Sequence, residues 1–210
     1  MKVVNRYLIF LCCFFTGTLF MLAQKDTQNI LTSDFTEVII DADEVFKINV
    51  ISEKRDNLQY KTHSEGEYFN EIRLKTSLKN GRLLIETQYP EQLVGGFDKL
   101  SAHKVFSLEL DLYLPEDKIL IISSNSASLI VSGKFESFSA NLQRGYCNLK
   151  AFEGNATINT YKGDIDAEVV SGEITAKSRH GEVLIGIDLY GMHQIKLTSI
   201  NGDISVRKTK

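Results

Sequence analysis

Hydrophobic and polar residues alternate along most of the carboxyl-terminal half of this chain, and the alternation restarts at regularly spaced glycines. Four successive intervals of nine residues are followed by intervals of ten and eleven, at Gly145, Gly154, Gly163, Gly172, Gly181, Gly191 and Gly202. A period of two is typical of strands that bury one face. The pattern therefore predicts one short strand per unit, with the glycine at the turn, where positive φ costs it little.

The phase of the alternation predicts which side chains point inward. The inward set takes three small or apolar residues from each of the first five units: Cys147, Leu149, Ala151, Ala156, Ile158, Thr160, Ile165, Ala167, Val169, Ile174, Ala176, Ser178, Val183, Ile185 and Ile187. The residues between them are mainly polar or charged, so we expect them on the outward face.

Units this short leave no room for a crossover helix, which excludes a doubly wound α/β fold. An antiparallel meander and a parallel β-solenoid both remain, and the fixed period favours the solenoid, because each coil must return the chain to the same height. We therefore predict an all-β fold, a right-handed parallel β-solenoid (β-helix) with nine-residue strand–turn units over residues 119–210. With two units per coil, Val183 would stack directly on Ile165, and Glu182 on Asp164.

The amino-terminal half alternates without the nine-residue period. Asn80-Gly81 between apolar alternations predicts a hairpin. We predict a β-rich, antiparallel cap over residues 34–118 that continues into the repeats as one domain. The polar residues 24–33 are expected to form a flexible lead-in, and residues 89–104, with Gly95-Gly96, a long loop.

Residues 1–23 have the pattern of a secretory signal peptide. Lys2 and Arg6 precede an apolar run from Tyr7 to Phe20, and Ala23 offers a small residue for cleavage. An uncleaved anchor is the alternative, but the run is short for a membrane span, and no later run approaches that length. We expect an exported protein, either periplasmic or at the cell surface or extracellular, with no membrane span after cleavage.

Charge and cysteine content narrow the range of partners and folds. The chain has 210 residues, 24 basic and 27 acidic, for a net charge of −3. Removal of the leader takes away Lys2 and Arg6, so 22 basic residues remain and the net charge becomes −5. Such a surface does not favour nucleic acid, which needs a concentrated basic patch. Cys147 is then the one cysteine left, so no internal disulfide is expected, and its inward phase predicts a buried, inert thiol.

No catalytic, cofactor-binding or metal-ligating residues are predicted. The units lack the doubled glycine and regular aspartate of calcium-binding nonapeptide rolls, and the histidines are scattered: His63, His103, His180 and His193. Asp164 and Asp166 share one predicted strand face and could form a carboxylate pair, but the short turns leave no groove beside them.

A set of outward residues in the first repeats is polar but uncharged. It comprises Tyr146, Asn148, Asn155, Thr157, Asn159 and Tyr161. Such side chains could contact a glycan or a protein edge, or serve as ordinary strand residues.

Residues 35–210 resemble the exported bacterial β-strand-repeat proteins of unknown function that are labelled putative adhesins, including the head GIN domains. The resemblance is carried by the units SGEITAKS, GDIDAEVVSG and INGDISVR, and by GRLLIETQ in the amino-terminal half. It implies an exported parallel β-solenoid of the cell envelope, typical of Bacteroidota-like bacteria, and offers no catalytic motif.

From these features we predict a non-enzymatic, adhesin-like binding or interaction surface in the cell envelope. Its partner would be an unidentified protein or glycan, and no cofactor is expected. Two alternatives stay open: a carbohydrate-active enzyme on a β-helix scaffold, and a periplasmic component of a signalling or assembly complex.

Overall fold

The computed structural model describes residues 24–31, 34–43, 45–66, 73–88 and 106–210. The predicted signal peptide and the predicted loop with Gly95-Gly96 and His103 lie outside these residues. The regular elements of the described part are β1 Gln24–Leu31, β2 Glu37–Asp41, β3 Lys47–Glu53, β4 Leu58–Gly66, β5 Arg73–Lys79, β6 Arg82–Gln88, β7 Phe106–Pro115, β8 Ile119–Ser124, β9 Ser128–Arg144, β10 Cys147–Lys162, β11 Ile165–Val169, β12 Glu173–Ser178, β13 Val183–Ile185, β14 Gln194–Asn201 and β15 Ile204–Lys208. The fold is all-β, and within these ranges no helix is long and apolar enough to cross a membrane.

The strands form one mixed sheet with two series of neighbours, which we call ladder A and ladder B. Ladder A has the order β1-β4-β7-β3-β9-β10-β11-β15-β13, and ladder B has the order β5-β6-β2-β8-β9-β10-β14-β12. The long strands β9 and β10 join the two, because their first halves pair in ladder A and their second halves in ladder B. Pairing is antiparallel at β1–β4, β4–β7 and β5–β6, and parallel at the other pairs.

The core is a single cluster of buried apolar side chains drawn from both ladders. Alternate residues of each central strand are buried, as in β8 and β11. The largest side chains gather where β9 and β10 pass from one ladder to the other. Phe152 is stacked on Phe135, with 5.6 Å between ring centroids, and the Phe138 ring lies tilted against Phe152 at 6.1 Å. All three rings of this aromatic trio are buried.

The predicted inward phase is confirmed for most positions before Gly172 and is wrong at Ala151. Beyond Gly172 it is wrong at Val183, Ile185 and Ile187, which are exposed. Leu149 and Phe152 are both buried, while Ala151 is exposed and has positive φ. A bulge between Leu149 and Phe152 adds one residue to β10 and so reverses the phase. Gly154 then lies inside β10 rather than at a turn between strands.

The amino-terminal half differs from the expected antiparallel cap. The hairpin is confirmed, since Asn80 and Gly81, both at positive φ, connect antiparallel β5 and β6. However, β2 pairs in parallel with β6 and β8, and β3 pairs in parallel with β7 and β9. The expected flexible lead-in is also different, because residues 24–31 form β1 against β4. The open edge of β4 provides backbone partners for this polar segment, which has no strong apolar alternation of its own.

Both ends of the sheet are interleaved, which corrects the predicted stacking order. Strands β14 and β15 insert between earlier strands, so that Ile204 lies between Ile165 and Val183. Asp203 in the same way separates Asp164 from Glu182, so the predicted direct stacking of these two residues is wrong. At the other end, the first pair, β2 and β3, lies between β6–β7 and β8–β9.

The repeated glycines are explained by close backbone contacts between successive strands. A methyl group on Gly202 would lie 2.2 Å from the carbonyl oxygen of Gly163, and one on Gly181 would lie 2.2 Å from that of Gly202. Gly145 and Gly163 make equally close approaches, at positive φ. These glycines form a column along one edge of the fold, and each is required to let the next strand approach.

Two hydroxyl groups, each three residues before a glycine of the column, form hydrogen bonds with its backbone: Thr160 before Gly163, and Ser178 before Gly181. The Thr160 hydroxyl donates to the Gly163 carbonyl at 2.8 Å, and the Ser178 hydroxyl donates to the Gly202 carbonyl at 2.7 Å. The Ser178 oxygen also accepts a bond from the Gly181 amide at 2.9 Å. Such bonds satisfy backbone groups that the close approach leaves outside the ladders.

Candidate binding face

A row of polar side chains crosses ladder B near the carboxyl ends of its strands. The register of the parallel pairs places the following residues side by side: Asp41, Ser123, Asn141, Asn159 and Thr198. We call this set the polar row. Each member occupies an outward position of its strand, because the residues before and after it face the core. Lys177 continues the row on β12, and Glu86 continues it on β6.

The polar row borders an open depression of about 580 Å³. Its lining comes from five parallel strands and the turns that follow them: Asp41, Asp43, Ser123, Ser124, Asn125, Asn141, Leu142, Gln143, Asn159, Thr160, Tyr161, Thr198 and Ile200. We call it the carboxyl-end depression. Concave sites with a few oriented polar groups are where small ligands are usually bound.

Two amides and one aromatic ring give the depression its chemistry. The Asn159 Nδ2 donates a hydrogen bond to the Asn141 Oδ1 at 3.0 Å, across strands that are eighteen residues apart in sequence. This bond orients both amides and leaves the Asn159 oxygen and the Asn141 nitrogen with further bonding capacity. Tyr161 lies two residues beyond Asn159, and 54% of it is exposed. An exposed ring beside oriented amides offers both an apolar face and directional hydrogen bonds.

Charge is confined to the margins of the depression. Asp41 ends β2, and the Asp43 carboxylate accepts a hydrogen bond from the Asn125 backbone amide at 3.2 Å. The centre holds hydroxyls and amides of Ser123, Asn141 and other neutral side chains. Neutral donors and acceptors suit a neutral, hydroxyl-rich ligand better than an ion, since they offer no compensating charge.

The structure divides the polar residues singled out in the sequence between two places. Asn155, Thr157, Asn159 and Tyr161 follow one another on the outward face of the second half of β10, whereas Tyr146 precedes this strand. Asn148 lies in ladder A, between Ile130 and Asp166 on the adjacent strands. The six residues therefore do not form one surface.

Asn155 has a structural role. Its side-chain nitrogen donates to the Glu136 carbonyl at 3.2 Å, and its oxygen accepts the Gln194 amide at 2.9 Å. Both polar atoms of the side chain are thus occupied by backbone groups. Of the original set, Asn159 and Tyr161 are the two that line the carboxyl-end depression.

Sequence analysis missed the other half of the depression. Asp41, Ser123, Asn141 and Thr198 come from four separate segments that the parallel register brings together. A signal existed for one of them: Asn141 precedes Asn159 by two nine-residue units, the distance that separates stacked neighbours in this part of the chain.

The carboxylates Asp164 and Asp166 are held by structural partners. Asp164 accepts the backbone amide of Asp203 at 2.9 Å, and Asp166 pairs with the Arg207 guanidinium. Glu168 lies 3.4 Å from the same guanidinium. The hydrogen bond to Asp166 raises the pKa of Arg207, and the Glu168 carboxylate adds a smaller contribution in the same direction. The candidate carboxylate pair of a glycan-active enzyme is therefore engaged in connecting β11 to β15.

The remaining titratable candidates lie apart from the depression. Cys147 is fully buried, and desolvation raises the pKa of its thiol to about 12. His63 bridges Asp26 of β1 and Glu65 of β4, at 2.6 Å and 2.9 Å. In the part of the chain that the structure describes, no group of three or more His, Cys, Asp or Glu side chains is arranged to hold a metal ion.

Comparison with known proteins gives a likeness at the level of fold. No protein-family model matches the sequence, and no curated protein matches it. Among solved structures, a "putative cell adhesion protein" from Clostridium sporogenes is similar, with a TM-score of 0.65 and 13% identity over 89% of this chain and 100% of that chain. A "putative adhesin" from Parabacteroides distasonis has a TM-score of 0.33 and 12% identity over 86% of this chain and 97% of that one. The Clostridium sporogenes structure shows that this arrangement of strands also occurs in a solved protein. Its description agrees with the name "putative adhesins" of the proteins that the repeat units resemble.

Proposed function

We propose that the protein is an exported, non-enzymatic, adhesin-like binding protein of the cell envelope, and that it binds a saccharide in the carboxyl-end depression. The observation that carries the proposal is the hydrogen-bonded pair Asn141–Asn159 beside the exposed ring of Tyr161. Sugars present hydroxyl edges to planar amides and C–H faces to aromatic rings, so this combination matches both sides of a pyranose.

The proposed export rests on the leader, in which Lys2 and Arg6 precede an apolar run from Tyr7 to Phe20, followed by Ala23 as the small residue for cleavage. A fold whose core needs no disulfide or metal is compatible with either a periplasmic or a surface location. The proposed assignment to the adhesin-like β-strand-repeat proteins, including the head GIN type, rests on the repeat units and on the fold-level likeness.

We also propose that the chain winds as a right-handed parallel β-solenoid with interleaved ends. Support comes from the parallel neighbours in both ladders and from β9 and β10, which each contribute to ladder A and then to ladder B. Right-handed connection is the strong rule for strands that return parallel in one sheet. Residues 34–118 and 119–210 would form one domain, since β2 and β3 pair directly with β8 and β9.

A screen of oligosaccharides from bacterial envelopes and host surfaces, immobilised as an array, tests the ligand class. We expect the purified protein to retain one class of saccharide, and Tyr161→Ala or Asn159→Ala to weaken binding at least tenfold. The matched control is Tyr146→Ala, because Tyr146 is similarly exposed, at 45%, but precedes β10 whereas Tyr161 lies near its end. Binding that is unchanged in Tyr161→Ala, or that occurs to protein ligands and to no saccharide, would overturn the proposal.

The alternative hypothesis is that the protein is a carbohydrate-active enzyme with the same fold. The release of reducing ends or unsaturated sugars from the retained saccharide would be measured alongside binding. Turnover that Asp166→Asn abolishes would overturn the non-enzymatic part of the proposal, because that substitution leaves the depression intact.

A further inference from the structure

The strand β13 ends ladder A and the strand β12 ends ladder B, both on the far side of β10 from the amino-terminal strands. Within the described residues, β12 pairs with β14 alone and β13 pairs with β15 alone. Each therefore presents a row of backbone amides and carbonyls with no strand beyond it. Two open edges at one end form a template for further strand pairing. We call residues 173–192 the open end.

Apolar side chains at the open end are exposed where the same positions elsewhere are buried. Val183 and Ile185 have the phase of core residues, yet 47% of Ile185 is exposed. In the loop that follows, Tyr190 is 83% exposed and Met192 is 94% exposed. Leu189 is the one residue of this loop that joins the core cluster, so the other apolar side chains of the open end remain exposed among the described residues.

The sequence of β12 is complementary to itself when read in the opposite direction. If two copies of the strand pair antiparallel with Thr175 opposite Thr175, Glu173 meets Lys177 at both ends of the pair. Ile174 then meets Ala176, a large side chain opposite a small one. In β13, pairing about Leu184 places Val183 opposite Ile185. In a symmetric dimer one two-fold axis would have to generate both pairings, and such an interface would be isologous.

We propose that the open end binds a second copy of this chain, with β12 pairing antiparallel to its equivalent and β13 to its equivalent. The open backbone edges supply hydrogen bonds, the apolar residues supply burial, and the charges of β12 fix the register. A second copy is the partner that fits, because the charge pattern matches its own reverse. The dimer would extend the two ladders across the two-fold axis.

A disulfide placed on the proposed axis tests the register directly. In an antiparallel pair, directly opposed Cα atoms lie about 4.5–5.5 Å apart, within the range of about 4.4–6.8 Å that a disulfide requires. Thr175→Cys should therefore form a covalent dimer under mild oxidation. Thr157→Cys is the control, because its side chain is equally exposed but its strand is paired on both sides. The buried Cys147 does not interfere.

Charge reversal tests the same interface without a covalent bond. Lys177→Glu places acidic side chains opposite each other at both ends of β12, and we expect the dimer Kd, measured by sedimentation, to rise at least tenfold. Combining Glu173→Lys with Lys177→Glu restores opposite charges and should restore most of the affinity. Thermal melts of the three proteins verify that each chain is folded.

Several results would overturn the proposal. A wild-type protein that stays monomeric even at about 100 µM would contradict it, as would equal crosslinking of Thr157→Cys and Thr175→Cys. Dimerisation that Lys177→Glu leaves unchanged, or that the double reversal fails to recover, would show that another surface is responsible. Saccharide binding is measured separately and does not depend on these outcomes.

Discussion

Asp164 accepts a hydrogen bond from the backbone amide of Asp203, 2.9 Å away, although 39 residues separate the two in sequence. The same bond recurs one strand further on, where Asp203 accepts the Glu182 amide at 2.8 Å. The aspartates after Gly163 and Gly202 thus each hold the backbone of the neighbouring turn at the start of the next strand. This gives the two Gly-Asp pairs of the repeat a structural meaning.

The first prediction concerns this bond. Asp203→Ala removes the acceptor for the Glu182 amide, and we expect unfolding free energy to fall by about 1 kcal/mol, as for other side chains that cap exposed amides. Asp203→Asn keeps an acceptor oxygen and should lose much less. Urea unfolding of both variants provides the comparison. Equal losses would mean that the charge of Asp203, rather than the bond, is what matters.

The second prediction concerns the glycine column. A methyl group on Gly202 would lie 2.2 Å from the Gly163 carbonyl oxygen, so Gly202→Ala must push two strands apart. We expect a loss at or above the upper end of the roughly 1–3 kcal/mol typical of overpacking. Gly186→Ala is the control, because its nearest neighbour, the Val206 carbonyl oxygen, lies 3.2 Å away. Similar melting temperatures for the two variants would contradict the close packing described for the column.

The third prediction concerns the thiol of Cys147. Burial raises its pKa to about 12, so at pH 8 only about one thiol in 10⁴ would be ionised. We expect no labelling by a thiol reagent in the native protein and complete labelling in urea. Thr157→Cys supplies an exposed thiol whose rapid labelling serves as the control. Prompt native reaction of the wild type would show that the strand carrying Cys147 opens readily.

The fourth prediction concerns pH and the attachment of β1. Hydrogen bonds to Glu65 and Asp26 raise the pKa of His63 above 6.5, and Glu109, which faces His63 from β7, pairs with Lys47. Because the folded pKa is raised, this stabilisation is fully present below about pH 6.5 and is lost as pH rises through the folded value.

An NMR titration of the His63 ring checks this directly. Asp26→Asn should bring the pKa back towards 6.5, and Asp166→Asn, in a distant strand, should leave it unchanged. A wild-type value at or below 6.5 would contradict the bridge between β1 and β4.

Local patterns predicted the strands and the core face well, because period-two alternation reports directly on which side chains are buried. Cys147, Ile158 and Ile165 all lie where their phase placed them. The phase failed at Ala151, since a bulge adds one residue without leaving any mark in the polarity pattern. The hairpin at Asn80-Gly81 was predictable because two positive φ values demand those residue types.

The order of strands was not predictable in the same way. Ile204 and Val183 are both apolar residues two positions after a glycine, so either could stack on Ile165 with nearly equal burial. The only sign in the sequence that β14 and β15 insert between earlier strands is the longer glycine spacing around Gly191. This spacing gives the chain the length to return past β12 and β13. For the candidate site, Asn159 and Tyr161 could be singled out from composition, but Asp41 and Thr198 depend on long-range register and could not.

The interleaving of the last strands also sets an order of events for folding. Residues 173–185 are made before residues 194–208, yet among the described strands both of theirs pair with that later segment alone. They therefore cannot dock until the final residues of the chain have been delivered and have found their places beside β10 and β11. The last step of folding therefore depends on long-range strand pairing, which is intrinsically slow. In a chain translocated amino terminus first, β12 and β13 would remain unpaired until translocation is over.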